Sequence, residues 1–209
     1  FVTVLVGDGP VRDSALNGNL VLYGTGDPTF GLDTASLAPF ADSVVLAGIR
    51  RVQGDMVGDA SFLGGELAGP GWSPGNLEEP YAAPPSALGA AANRIRITVE
   101  PGPMPGTPAR VTMEPPTDYF TVSSAVVTGG PRSRTRIRIA RGPPHGIVAL
   151  SGTISPQRSE WSTSIVVRQP ALFAADLLRQ LLAVRGVTVL GTTRSVTDDA
   201  PGRARTFLE

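Results

Sequence analysis

Few residues in this chain are equipped for chemistry. It has one histidine, His145, in the turn Gly142-Pro143-Pro144-His145-Gly146, no cysteine, and no lysine, so all 18 basic side chains are arginine. Without cysteine there is no disulfide framework, thiolate nucleophile or thiolate metal site. Without lysine, no step within this chain can use a lysine nucleophile or a lysine base. Arginine in place of lysine reads as GC-rich coding, because surface positions constrain that choice weakly. His145 reads as a surface-loop histidine; the alternative is a catalytic base, and no second histidine is present to share a metal. Asp8, Asp27, Asp55 and Asp59 all adjoin glycine, a pattern typical of turns that the carboxylate closes onto backbone N–H groups. A hard-metal site and a metal-dependent hydrolase are the alternative. Gly24-Thr25-Gly26 resembles the start of a phosphate loop, but Thr29 stands at the third glycine position and no helix opens behind it, so no dinucleotide is expected. The alternating arginines of Arg132-Ser133-Arg134-Thr135-Arg136-Ile137-Arg138 fall on one side of a strand, as a solvated or edge-protecting face, with anion binding as the alternative.

The elements that must position these residues follow from periodicity and turn chemistry. Residues 1–6 form a strand ended by Gly7-Asp8-Gly9-Pro10, and 19–23 form a second, ended by Gly24-Thr25-Gly26-Asp27-Pro28. Leu37, Phe40, Ala41 and Val44 are spaced as a helix, with Pro39 suited to its first turn and Gly48 to its end, and residues 49–57 read as a strand. The same order recurs later. Pro170 opens a helix striped by Phe173, Leu177, Leu181 and Val184, Gly186 caps it, and 187–190 form a strand. Two helix–Gly–strand–Gly units predict an open α/β sheet with crossovers. Between them, a Pro-rich linkage at 69–85 leads to six short alternating runs without an amphipathic helix, which predicts an all-β sandwich or barrel inserted into the α/β domain. The expected domains are 1–93 plus 169–209, discontinuous, and 94–168, inserted.

Acidic and basic side chains balance at 18 each, so nucleic-acid binding through a basic face is not expected, and a hydrophobic share of 41% supports a core. No apolar run reaches the ~18 residues that would cross a bilayer as a helix. The N-terminus has no signal-peptide pattern, so any export signal is expected to have been removed.

One ordered set of strings carries a resemblance. Gly18-Asn19-Leu20-Val21-Leu22-Tyr23-Gly24-Thr25-Gly26-Asp27-Pro28-Thr29 is followed by Gly54-Asp55 and Asp59-Ala60-Ser61-Phe62. Then come Gly71-Trp72, Tyr81-Ala82-Ala83-Pro84-Pro85-Ser86-Ala87-Leu88, Asn93, Val148-Ala149-Leu150-Ser151-Gly152 and Gln169-Pro170-Ala171-Leu172-Phe173-Ala174. In this order they resemble the D-alanyl-D-alanine carboxypeptidase/endopeptidase family, class C low-molecular-mass penicillin-binding proteins of the bacterial cell wall. The resemblance covers nearly the whole chain.

That family's catalytic domain carries Ser-x-x-Lys, Ser-x-Asn and Lys-Thr-Gly. None of the three occurs here: there is no lysine, and none of Asn17, Asn19, Asn76 and Asn93 has a serine two residues before it. The resemblance therefore implies that the chain is the long non-catalytic insertion between the first two motifs, with ends near the junctions to a missing catalytic domain. Its implied partners are that domain and peptidoglycan, its implied location is extracytoplasmic, and no cofactor or metal is implied. It also implies substrate-pocket roles for Trp72 and, second, Tyr81, near the stem-peptide side chain; packing of Trp72 onto the sheet is the alternative. A further aromatic found in some relatives is replaced by Ala83. The rival expectation is an independent glycan- or protein-binding module using the arginine strand.

Overall fold

Short strands interrupted by glycine build the first part of the molecule. The computed structural model describes residues 1–27, 30–31, 33–63, 84–142 and 146–197. It divides into two units, Phe1–Arg94 with Val166–Glu209, and Ile95–Ile165. Each is β-rich, and the two α-helices among the described residues both belong to the first.

In the first unit four stretches of chain each contribute two strands: β1 (Thr3–Gly7) and β2 (Val11–Arg12), β3 (Ala15–Leu16) and β4 (Leu20–Gly24), β5 (Arg51–Val52) and β6 (Met56–Asp59), β13 (Thr188–Val189) and β14 (Thr193–Val196). The orders β1-β4-β6-β14 and β2-β3-β5-β13 run the four stretches side by side in one sequence. The two sheets are therefore one four-stranded layer bent along a line. β3, β5 and β13 are parallel, as are β4, β6 and β14, while the first stretch runs antiparallel to the second.

Glycine occupies the bend in every stretch. A Cβ on Gly54 would lie 2.7 Å from the Gly18 carbonyl oxygen, one on Gly18 2.8 Å from the Gly9 nitrogen, and one on Gly191 2.5 Å from the Gly54 carbonyl oxygen. These approaches are closer than side-chain carbon tolerates, so the bend needs glycine in neighbouring strands at the same level.

Helix α1 (Ala38–Leu46) has Pro39 in its first turn and α2 (Pro170–Val184) begins on Pro170. Both end in the same left-handed glycine cap. Gly48 donates to Val45 and Ile49 to Val44, and Gly186 donates to Ala183 and Val187 to Leu182, with φ of 75° and 79° at the two glycines. The α2 face bearing Phe173, Leu177, Leu178 and Leu182 is buried. The helix lies so close to β6 that a Cβ on Gly58 would strike the Ala171 carbonyl.

In the second unit, β7 (Arg94–Glu100) starts on the last residue of the first unit, and β8 (Arg110–Glu114), β9 (Thr121–Thr128), β10 (Arg136–Gly142), β11 (Ile147–Ile154) and β12 (Trp161–Val166) complete two three-stranded sheets, β12-β7-β8 and β10-β11-β9. An isolated bridge between Pro108 and Val127 connects them. Alternation is clean in β7, where Ile95, Ile97 and Val99 are buried between outward arginines and polar residues.

Two expectations are corrected here. The strand expected at 49–57 is two strands broken at Gln53-Gly54-Asp55, because the chain crosses the bend there. The one expected at 187–190 shortens to two residues for the same reason. The hairpin β2–β3 and strand β14 were not expected from sequence.

Candidate functional site

The aspartates are the first residues to place. Asp8 accepts from the backbone N–H and the side-chain amide of Asn19, the latter at 2.7 Å. Asn19 Oδ1 accepts from the Asp55 backbone N–H at 2.7 Å. Asp55 Oδ1 accepts from the Thr192 N–H at 2.9 Å and the Thr192 hydroxyl at 3.2 Å, while its Oδ2 accepts from Arg194 Nε at 2.9 Å. Each side chain follows a glycine and reaches the backbone of the next stretch. The result is a polar ladder along the bend, satisfying N–H groups that the interrupted sheet leaves open. The Thr192 backbone bond, followed by the Arg194 side chain, holds the Asp55 carboxyl below the ordinary carboxylate range.

Asp59 is buried at the end of β6, where its Oδ1 accepts from the Ser61 N–H at 3.0 Å. Among the described residues no group of three acidic or histidine side chains is arranged to hold a metal ion. Asp8 and Asp55 are both engaged by backbone N–H donors.

Thr25 also has a structural use. Its hydroxyl oxygen accepts from the Val2 N–H at 2.6 Å and donates to the Val2 carbonyl at 2.9 Å, clipping the N-terminus to the end of β4. Gly24 is packed against the Ala87 carbonyl and Leu88. Gly24 thus serves close packing at this point.

Two cationic faces are present. Arg136 and Arg138 stand opposite Thr153 and Ser151 on β10, the edge of its three-stranded sheet, with both side chains exposed. In the first unit, the outward row of the lower half-layer reads Arg12, Ala15, Arg51, Thr188 across four strands, whereas the inward row Leu16, Val52, Val189 is buried. Two residues along each strand, Asn17 and Gln53 share the outward face. An open depression of about 510 Å³ lies over this face. Sequence reasoning missed it because the three strands that line it, β2, β3 and β5, are two residues long, too short to show a period.

Trp72, Tyr81, Ala83 and His145 lie outside the described residues. So does Gly71-Trp72-Ser73-Pro74-Gly75, a string with Gly-x-Ser-x-Gly spacing.

The chain matches the D-Ala-D-Ala carboxypeptidase 3 (S13) family over residues 1–208. It is 29% identical over 179 residues to a D-alanyl-D-alanine carboxypeptidase of Actinomadura sp. (strain R39), covering 83% of this chain and 33% of the relative. It is 23% identical over 194 residues to the D-alanyl-D-alanine carboxypeptidase DacB of Haemophilus influenzae, covering 91% of this chain and 40% of the relative. The fold is similar to that of penicillin binding protein 4 (dacB) from Haemophilus influenzae, with a TM-score of 0.72 at 21% identity, covering 95% of this chain and 43% of that one. The chain thus spans a third to two-fifths of the length of the curated relatives it matches. Among the described residues no helix is long and apolar enough to cross a membrane. With the match running through both units of the structure, the chain belongs to the D-Ala-D-Ala carboxypeptidase 3 (S13) family.

Proposed function

We propose that this stretch is the non-catalytic part of a serine-type D-Ala-D-Ala carboxypeptidase/endopeptidase acting outside the cytoplasm on peptidoglycan stem peptides. In this reading it holds and orients a catalytic domain supplied elsewhere in the protein. One observation carries the reading: the family match extends over residues 1–208 while the sequence contains no lysine, so neither Ser-x-x-Lys nor Lys-Thr-Gly can be formed within it. The 209 residues alone should not be acylated by a fluorescent penicillin; stoichiometric covalent labelling would overturn the assignment.

In the same reading the chain comprises an open α/β-sheet domain, 1–93 plus 169–209, and an inserted β sandwich or barrel, 94–168. Trp72, with Tyr81 second, contributes an aromatic contact to the substrate pocket. Flanked by Gly69-Pro70-Gly71 and Ser73-Pro74-Gly75, the Trp72 indole has almost no local apolar side chain to bury it. In an enzyme containing this stretch, Trp72→Ala should lower kcat/KM for stem peptides ending in a diamino acid more than for a minimal D-Ala-D-Ala substrate. Equal losses would return the residue to a packing role.

A second reading, an independent glycan- or protein-binding module, has one observation in its favour: the exposed Arg136 and Arg138 on the edge strand β10. Replacing both by glutamate should abolish retention on purified sacculi if this reading holds.

A further inference from the structure

The outward face of the lower half-layer has features that the accessory role does not use. Arg12 and Arg51 are exposed, and neither has a carboxylate partner among the described residues. Ala15 lies between them in register, paired with Arg12 on one side and Arg51 on the other. Two strand spacings set the arginine backbones about 9–10 Å apart. The short alanine side chain leaves the floor of the depression open between them.

The scaffold fixes this spacing. The β2–β3 turn places Asp13 and Ser14 at φ of 50° and 59°, as a two-residue hairpin of the twisted type requires. The Ser14 carbonyl then accepts from the Arg50 and Arg51 N–H groups at 2.8 and 3.2 Å, tying the turn to β5. Among the described residues Asp13 is the one carboxylate lining the depression, against two guanidinium groups. Asn17 and Gln53 continue the same face, offering amide donors and acceptors of the kind that pair with peptide groups.

We propose that Arg12 and Arg51 form a pincer for a peptide carboxylate, with Asn17 and Gln53 contacting the adjoining amide bonds, so that this face is a secondary docking site for stem peptides. Two planar guanidinium groups converging on one oxyanion give charge-assisted, bidentate recognition that an isolated surface arginine lacks. That the peptide comes from the cell wall rests on the function proposed above; the carboxylate pincer does not.

The test is a titration of the full 209-residue chain, with amide NMR shifts as the readout. The probes are a γ-D-glutamyl tripeptide with free carboxylates, its fully amidated counterpart, an α-linked L-glutamyl tripeptide and inorganic phosphate. The free-carboxylate γ-peptide should shift the amides of Ala15, Arg51 and Gln53. Affinity should fall at least tenfold on amidation and at least tenfold in Arg12→Gln/Arg51→Gln, whose unchanged spectrum elsewhere would confirm folding. It should be flat between pH 5 and 9, because guanidinium stays protonated throughout. Equal binding of the amidated peptide, an unaffected double variant, or phosphate binding as tightly as the peptide would each overturn the pincer. Equal affinity for the α-linked L-peptide, lost in the double variant, would sustain the pincer and remove only its cell-wall assignment.

Discussion

At the scale of single residues, the aspartates show how the same sequence signal serves structure and mimics chemistry. An aspartate after glycine could ligate a cation, close a turn or brace a strand, and Asp55 braces: it links the third stretch of the layer to the fourth through Thr192 and Arg194. Its carboxyl titrates below the ordinary range, so folding favours the ionised form. The stabilisation is present above the ordinary carboxylate pKa and is lost as pH falls through the lowered value. The melting temperature of the chain should therefore drop more steeply below pH 4 than that of Asp55→Asn, and the two profiles should converge in acid. Parallel profiles would mean that Asp55 contributes nothing through its charge. That Asp8 and Asp55 bond backbone N–H groups was legible in the Gly-Asp dipeptides; that they brace the next stretch instead of closing their own turns was not. Their partners Asn19, Thr192 and Arg194 were not, since the bonds join positions 11 to 139 residues apart and no local pattern encodes them.

At the scale of elements, helices were the most legible part. Pro39, Gly48, Pro170 and Gly186 mark their first turns and their caps with chemistry that few other contexts require. Strand lengths were less legible because the bend cuts each run, and two-residue strands carry no hydrophobic period. The bend itself gives a sharp expectation. Gly54→Ala forces a methyl carbon to within 2.5 Å of Asn19 Oδ1 and 2.7 Å of the Gly18 carbonyl oxygen. The loss should be about 1–3 kcal/mol or more in urea unfolding, as for other overpacked sites.

The segment before β7 gives the opposite sign. Ala91, Ala92 and Asn93 hold φ of 48°, 50° and 54°, an arrangement in which Asn93 accepts from Ala90 through its side chain and from Val167 through its carbonyl. A left-handed alanine costs roughly 1–2 kcal/mol, against about 0.5–1 kcal/mol for the extra chain entropy of glycine. Ala92→Gly should therefore stabilise the fold by up to about 1 kcal/mol, read as an upward shift of the urea midpoint at constant m-value.

At the scale of the whole molecule, the Asn93 to Val167 hydrogen bond at 2.9 Å puts the outgoing and returning chain side by side within the first unit. Removing 95–165 and joining Arg94 to Val166 by a short Gly/Ser linker, which keeps that bond, should leave a remnant that unfolds cooperatively, its two helix–strand repeats still sharing a layer. A non-cooperative remnant would show that both units depend on one core. The repeats themselves could be read from sequence, but their pairing as direct neighbours could not.

That pairing has a consequence for the order in which the molecule can be made. Arg51 of β5 meets Thr188 of β13, 137 positions later, whereas Ala15 of β3 meets the same Arg51 after 36. At roughly 5–20 residues per second of synthesis, the β5–β6 edge waits on the order of 7–30 s after it emerges before its last neighbour leaves the ribosome. During that interval a parallel edge carrying Met56 and Val57 stands uncapped, while the inserted strands emerge and can pair among themselves. The vulnerable moment for this protein is thus the interval before its sheet is closed by a strand that has not yet been translated.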